Sequence, residues 1–274
     1  MFDLNHSEDF PKALRVMFHV VQSSCDDFKK KDAWYVNAHA LSLKFFRHLS
    51  SMHKLCIPHI DSTTGDLIVD HSTASSINRA AFETYLVFSH IFATTNKDLS
   101  RLRFALWSRG GMSERLAYAK ASEDAHFKQL EQEQRDILAL TKEINESPLY
   151  LTEYTVDQRK VIEKGHWSRI HKPSFLAKQA GVSEGNFQMQ YKFASGHSHS
   201  SYISALQVSQ ARDPEIQQQL VSATLSTGLI LITYFLEIFS RMSPEAEKII
   251  GSCPDAQAIF SKWNIRDEQW IKDL

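Results

Sequence analysis

Arg79, Glu83 and His90 lie on one apolar stretch, at a spacing from which they could act together. On an ideal helix these three positions fall within roughly 40° of one another. Such a polar stripe is either the single wet face of the helix, carrying an intrahelical Arg79–Glu83 pair, or a partly buried site whose charges need further partners. The apolar neighbours favour the partly buried site.

A second stretch supplies candidate partners for these charges. Tyr191, Ser195 and His199 follow one another at intervals of four residues and therefore share a helix face. Their hydroxyl and imidazole groups donate and accept hydrogen bonds, so together they can hold a carboxylate or a phosphate oxygen. The predicted polar centre consists of Arg79, Glu83, Tyr191, Ser195 and His199, with His90 and His197 as secondary candidates.

The order of these patterns resembles a known group of proteins. Arg-x3-Glu followed about a hundred residues later by Tyr-x3-Ser-x3-His is similar to a bacterial all-helical family of unknown function, over roughly residues 70–239. That family is distantly similar to HEPN-type helical domains, several of which are RNA-cleaving toxins or phage-defence effectors. The HEPN pattern is Arg-x4–6-His on one helix, and Arg47 with His53 fits this spacing whereas Arg79 with His90 does not. The resemblance implies a histidine that acts as base on a ribose 2′-hydroxyl and an arginine that steadies the phosphate.

The elements that must position these residues are helical almost throughout, since apolar residues recur with helical rather than strand periodicity. The sequence predicts an all-α fold, a single helical-bundle domain over residues 1–274. Its core is formed by about 9–108 and 150–242, and a long charged peripheral helix or hairpin arm occupies about 112–147. The predicted helices span about 8–29, 34–55, 70–93, a shorter segment ended by Gly110-Gly111, then 113–146, 156–164, 173–180, 183–207 and 214–242.

Composition excludes several classes of protein. With 9 Gly and 7 Pro among 274 residues, the chain is neither collagen-like nor linker-rich. A formal net charge of −1 argues against a general polyanion binder. Three cysteines without a Cys-x2-Cys pair indicate reduced thiols, and the first residues lack the features of a signal peptide, so we expect a cytoplasmic protein. The uncharged stretch 216–236 contains enough Gln, Ser and Thr to favour a buried helix over a membrane span.

Two further patterns suggest other chemistry. Residues 175–187 resemble a helix-turn-helix, in which Gly181 permits the turn and Ser183 caps the second helix, but that helix begins with Glu184 and carries no arginine. Glu-x2-His occurs at Glu123/His126 and at Glu163/His166, yet neither pair has the apolar surroundings of a bundle metal site. We therefore predict no metal and no cofactor.

Three functions remain open on this basis. The first is metal-independent RNA cleavage in a toxin or phage-defence setting, with His199 as base and Arg79 as phosphate clamp. The second is a non-catalytic helical sensor or adaptor, whose polar centre is a structural network and whose charged arm binds a protein partner or a second copy of the chain. The third is DNA binding through the helix-turn-helix.

Overall fold

The computed structural model describes residues 6–119, 127–211 and 213–266, and over these ranges the fold is all-α, as predicted, with one short β-hairpin. The first part contains α1 (His6–Ser23), α2 (Cys25–Lys29), α3 (Ala33–Leu55), β1 (His59–Ile60), β2 (Leu67–Ile68) and α4 (His71–Phe92). Next come α5 (Lys97–Ala119), α6 (Phe127–Glu146), α7 (Pro148–Glu153), α8 (Val156–Glu163), a 3-10 turn (Trp167–Arg169) and α9 (Pro173–Gln179). The chain continues with α10 (Glu184–Asn186), a π-helix (Phe187–Tyr191), α11 (Lys192–Ser198), α12 (Tyr202–Gln210), α13 (Pro214–Ser240), α14 (Pro244–Ser252) and α15 (Pro254–Trp263).

The chain divides into two compact units. Of the described residues, unit 1 comprises 6–89, 177–211 and 213–266, and unit 2 comprises 90–119 and 127–176. All five residues of the predicted polar centre belong to unit 1, whereas His90 belongs to unit 2. The organisation as a single domain over 1–274 stays a prediction.

Unit 1 is built around aromatic side chains from α3, α4 and α13. The Phe235 ring lies 4.8 Å from Phe88 and 5.3 Å from Phe45, and all three side chains are fully buried. Tilted aromatic contacts of this kind add to the free energy gained by burying their area. They fix α4, which carries Arg79 and Glu83, in the interior of the unit.

Helix α13 is the most apolar element of the described chain. Within the described residues, one helical stretch, Glu215–Ser240, is long and apolar enough to cross a bilayer, and 72% of its most apolar window is buried in the fold. Such burial is typical of a core helix. Asp213 caps its start by accepting a hydrogen bond from the Glu215 amide at 2.7 Å, and Pro214 occupies its first turn, as the sequence indicates.

Unit 2 corrects the predicted end of its first helix. The helix α5 does not end at Gly110-Gly111 but continues to Ala119. A Cβ at Gly110 would lie 2.6 Å from the Trp167 Cβ, so this glycine serves close packing rather than helix termination. The charged helix α6 packs on α5 through Ile144, which is buried, and through the ion pair between Arg115 and Glu133.

The predicted helix over 183–207 is also wrong, because it is interrupted twice. Its middle forms a π-helix, and it stops at His199, after which Ser200 takes the left-handed φ of 51° and Ser201 caps α12. A Cβ at Gly196 would lie 3.0 Å from the Ser201 Oγ, so the missing side chain lets the polypeptide fold back closely here.

Candidate functional site

Four residues of the predicted polar centre are in contact in unit 1. The Arg79 Nε donates to Glu83 Oε1 at 3.0 Å, across one turn of α4. The Tyr191 hydroxyl donates to the same carboxylate oxygen at 2.8 Å. The Arg79 Nη1 lies 2.6 Å from the His199 Nε2. These contacts form one continuous series, from His199 through Arg79 and Glu83 to Tyr191, which we call the polar cluster.

The ring of Tyr191 is held by apolar neighbours on both elements. It stacks on Phe187 with ring centroids 4.8 Å apart, and it meets the edge of Phe82 at 5.7 Å. Phe82 and Phe187 are both buried, and Phe82 directly precedes Glu83 on α4. The aromatic contacts therefore place the Tyr191 hydroxyl at the carboxylate. A π-helical turn of this kind frequently occurs at functional sites.

The polar cluster is open to solvent. The side chains of Arg79 and Glu83 are 21% and 47% exposed, Tyr191 is half-buried and His199 is exposed. Exposure of this order lets a ligand from solution reach the guanidinium and the imidazole. The sequence-based preference for a partly buried Arg79–Glu83 pair agrees with the exposure of Arg79 but not with that of Glu83.

Electrostatics keeps both donors of the cluster protonated. Burial, and then the hydrogen bond to the Glu83 carboxylate, raise the pKa of Tyr191, so its hydroxyl stays a donor at neutral pH. Burial lowers the pKa of Arg79, but the nearby Glu83 and Tyr191 oxygens outweigh it and the net shift is upward. Since a guanidinium donates and cannot accept, a hydrogen bond at this contact uses the His199 Nε2 as the acceptor.

Ser195 joins the polar cluster through its backbone. Its carbonyl accepts a hydrogen bond from the His199 amide at 3.0 Å, which closes the last turn of α11. Among the described residues, its hydroxyl makes no hydrogen bond to the other four side chains. Ser195 thus contributes to the position of His199 through its backbone.

His197 lies in a separate buried contact. It is 7% exposed, its Nδ1 is hydrogen-bonded to the Ser72 hydroxyl at 3.1 Å, and its ring lies 5.8 Å from that of His71. Burial and then the proximity of His71 lower the pKa of His197. It is therefore a neutral core histidine at physiological pH.

His90 is placed in unit 2. Its ring lies 5.2 Å from His171 and 6.3 Å from Trp167, and its carbonyl accepts a hydrogen bond from Arg103 at 2.9 Å. Eleven residues of α4, or about 16 Å of helix rise, separate it from Arg79. Sharing a stripe on the helical wheel does not bring their side chains into contact.

Arg47 and His53, which fit the HEPN spacing, point in different directions from α3. Arg47 is exposed, whereas the His53 ring stacks on Phe10 at 5.1 Å and burial lowers its pKa. Six residues correspond to about 240° around a helix, so the two side chains do not share a face.

The helix-turn-helix pattern predicts the local turn correctly. Gly181 has a φ of 74°, and the Ser183 hydroxyl accepts a hydrogen bond from the Asn186 amide at 3.3 Å. After the three residues of α10, however, the second helix becomes the π-helix and buries Phe187. A regular recognition helix is therefore missing from this segment.

The Glu-x2-His patterns do not form a metal site in the part of the chain that is described. Glu163 ends α8 and His166 lies beyond Gly165, whose φ is 76°, so the pair does not share a helix face. Glu123 and His126 lie outside the described residues. Across the described ranges, no group of three or more His, Cys, Asp or Glu is arranged to hold a metal ion.

Sequence reasoning missed a buried cation in unit 1. The Arg266 side chain is 1% exposed, pairs with Glu237 at 2.9 Å and donates to the Ala180 carbonyl at 3.1 Å. It also donates to the Tyr85 hydroxyl, which itself donates to Ala180 at 2.8 Å. These bonds anchor the turn that begins the segment leading to Tyr191 and His199. The one available signal was Glu237, a carboxylate within an apolar helix.

Comparison with known proteins adds a family and no function. Residues 65–216, more than half of the chain and including the whole polar cluster, match the family of unknown function DUF5677. No curated protein and no solved structure matches the chain.

Proposed function

The chain belongs to DUF5677, a family of unknown function, and from the geometry of its own side chains we propose that it is a metal-independent ribonuclease. The observation that carries the proposal is the 2.6 Å contact between Arg79 Nη1 and His199 Nε2 at a solvent-exposed position. It couples a fixed cation, which suits a phosphate, to an imidazole nitrogen that can accept a proton. The resemblance to HEPN-type domains supports RNA as the substrate and a cytoplasmic toxin or phage-defence setting.

The reaction starts with competition for Arg79. A phosphate oxygen of RNA replaces His199 as the acceptor of the hydrogen bond from the Arg79 guanidinium. The lone pair on the His199 Nε2 is then free to accept a proton. The imidazole then removes the proton from the adjacent 2′-hydroxyl, and the 2′-oxygen attacks phosphorus. The bond from phosphorus to the 5′-oxygen breaks, and that oxygen takes a proton from a water molecule. The hydroxide that remains takes the proton from the His199 imidazolium, which restores the base, and a 2′,3′-cyclic phosphate remains on the other product.

The other members of the cluster orient the two reacting side chains. Glu83 accepts from Arg79 Nε and so directs the remaining guanidinium N–H groups toward the substrate. The Tyr191 hydroxyl donates a second hydrogen bond to the same oxygen of Glu83. The Ser195 carbonyl accepts a hydrogen bond from the His199 amide and so positions the backbone of His199. Preorganised donors of this kind contribute through electrostatic stabilisation of the phosphorane.

A second candidate, a non-catalytic sensor or adaptor, is favoured by one observation. Arg79 satisfies the His199 lone pair within the chain itself, so that the polar cluster is complete without a ligand. The net charge of −1 also provides little general attraction for a polyanion.

The test is cleavage of a labelled single-stranded RNA in the presence of EDTA. A DNA strand of the same sequence controls for the 2′-hydroxyl. We expect cleavage of RNA alone, with a 2′,3′-cyclic phosphate end. Arg79→Ala and His199→Ala should lower the rate by about 100-fold or more. The exposed residues Arg47 and His19 offer matched controls, because R47A and H19A should cleave at the wild-type rate.

The stability of the two variants, R79A and H199A, distinguishes the ribonuclease from the non-catalytic sensor or adaptor. An exposed network contributes less than about 1 kcal/mol, so both active-site variants should melt close to the wild type. Absence of RNA cleavage by the wild type, or full activity of H199A, refutes the ribonuclease. Loss of several kcal/mol in R79A and H199A without wild-type cleavage supports the structural network instead.

A further inference from the structure

Two histidines of unit 1 are buried against each other. His71 is the first residue of α4 and His197 lies in the last turn of α11, and the two residues are 5% and 7% exposed. Their ring centroids are 5.8 Å apart and their planes meet at 89°, so the edge of one ring faces the other ring. We call these two residues the histidine pair.

The hydrogen bonds of the histidine pair suit uncharged rings. The His197 Nδ1 is hydrogen-bonded to the Ser72 hydroxyl at 3.1 Å, which ties α11 to the first turn of α4. The Nε2 atoms of both rings are shielded from solvent, and neither has a hydrogen-bond partner among the described residues. An imidazolium donates from both of its nitrogens. Protonation of either ring would therefore bury a charged N–H group without an acceptor.

Asp70 is the charged residue that acts on the histidine pair. It lies directly before His71, and its carboxylate favours the protonated form of that ring. The same carboxylate already accepts a hydrogen bond from the Thr73 amide at 3.0 Å, as a cap for the start of α4. Its effect on the His71 pKa is smaller than that of burial, so it does not make His71 a cation.

The other elements around the histidine pair contribute uncharged groups. On α11, the ring of Phe193 lies 4.9 Å from that of His197. From α12, Gln207 raises the pKa of His197 without forming a hydrogen bond to its Nε2. From α13, Gln217 accepts from the Val69 amide, two residues before His71. None of these groups can compensate a positive charge on either ring.

The contact between α4 and α11 is consequently sensitive to acid. Burial lowers the pKa of both rings, and His71 lowers that of His197 further. His71 also lies at the N-terminus of a 22-residue helix, where the helix dipole disfavours a cation. Because both pKa values are lowered, the contact is most stable above pH 6.5 and loses stability as the pH falls below 6.5.

We propose that the histidine pair is a pH switch, which holds α11 on the start of α4 at neutral pH and releases it when the pair is protonated. α11 is the element that opens, since it has seven residues between a π-helix and the left-handed Ser200, whereas α13 carries the buried aromatic core. His199 follows His197 by two residues, so release also moves its imidazole away from Arg79. The switch is a property of the α4–α11 contact and does not depend on the ribonuclease proposal.

Hydrogen–deuterium exchange of the full chain at pH 7 and pH 5, corrected for the intrinsic exchange rate, tests the switch. Peptides from α11 should exchange about 10-fold faster or more at pH 5, because the opened segment binds protons that the closed contact excludes. Peptides from α13 should stay protected at both pH values.

Four variants identify the groups that take up the protons. His71→Asn and His197→Asn cannot be protonated, and each should reduce the rise in α11 exchange by about 3-fold or more. Ser72→Ala removes the hydrogen bond but no titrating group, so it should accelerate α11 exchange at both pH values and keep the rise. The exposed His59 offers the matched control, because H59N should behave as the wild type does.

Three results would overturn the switch. The first is equal exchange of α11 peptides at the two pH values. The second is a rise in α11 and α13 together, which would show acid unfolding of the whole unit, to which other buried histidines such as His39 contribute. The third is a full rise in both H71N and H197N, which would place the proton uptake elsewhere. Circular dichroism at pH 7 shows whether each variant is folded, and the comparison of wild-type α11 and α13 peptides decides the matter without any variant.

Discussion

Replacement of Arg266 tests whether the C-terminal part of unit 1 holds the candidate site in place. The guanidinium lies 3.9 Å from the Tyr234 ring and pairs with Glu237, whose side chain is 15% exposed. In Arg266→Met the apolar length of the side chain is kept and the charge is removed. Glu237 then keeps Arg241, at 3.1 Å, as its remaining cation.

The expected cost follows from the burial of the pair. Removing one member of a buried ion pair costs about 3–5 kcal/mol, because the other charge stays buried. The remaining contact of Glu237 with Arg241, which is 36% exposed, returns less than about 1 kcal/mol. Loss of the cation–π contact adds about 1–2 kcal/mol. We expect R266M to lower the free energy of unfolding of unit 1 by about 3 kcal/mol or more.

Hydrogen–deuterium exchange under native conditions is the appropriate assay, because it reports unit 1 and unit 2 separately. Peptides from α13 should lose protection in R266M, whereas Arg241→Met should change it by less than about 1 kcal/mol. The double variant Arg266→Met/Glu237→Gln should recover part of the loss, since no buried charge then remains unpaired. A cost below about 1 kcal/mol for R266M, or strictly additive effects in the double variant, would refute the reasoning.

Three smaller changes test other parts of the structure by thermal or urea unfolding. Burial, and then Arg103, lower the pKa of His171 to about 4. Because the unfolded chain binds this proton near pH 6.5, the contribution of His171 to stability should be complete above pH 6.5 and should be lost as the pH falls from 6.5 to about 4. A free energy of unfolding that does not change over this range would contradict the burial of His171. Gly228→Ala should cost about 1–3 kcal/mol because its Cβ would lie 2.7 Å from the Phe10 ring, whereas Gly251→Ala, which meets no atom within 4 Å, should cost nothing. Ser200→Gly should stabilise by about 0.5–1 kcal/mol, since Ser200 has a φ of 51°, and a lower melting temperature would show that its side chain is needed.

Helical spacing indicates the contacts of four members of the predicted polar centre, although not the separate position of the Ser195 hydroxyl. An interval of four residues places Glu83 beside Arg79 on α4. Two such intervals separate Tyr191 from His199, and both of these side chains contact α4. Spacing of this kind can be read from the sequence because the helical repeat is a local property. The all-α class follows from the same periodicity. What periodicity did not reveal is where a helix stops, since a glycine pair serves equally as a terminator or as a close contact, as Gly110 does with Trp167.

The position of Arg266 could not be predicted for a different reason. Its partners Tyr85, Ala180 and Glu237 are distant in sequence, and nothing local indicates that a late arginine will enter the core. Glu237 interrupts an apolar helix and therefore required a cation, but the sequence offers 31 basic side chains as candidates. Long-range pairs of this kind depend on the topology of the fold, which a single sequence constrains weakly.

The polar cluster is exposed, whereas the residues that position it are buried, and this contrast favours a binding site over a structural network. Glu83 and His199 are too exposed for their contacts to contribute much to stability, so folding alone does not require this arrangement. The same side chains are nevertheless held rigidly: Phe82 and Phe187 fix the Tyr191 ring, and the buried Arg266 fixes the turn at Ala180. Preorganisation of polar side chains by a packed apolar and ionic support is what a binding site requires. The ligand that we propose for this surface is an oxyanion that competes with His199 for Arg79.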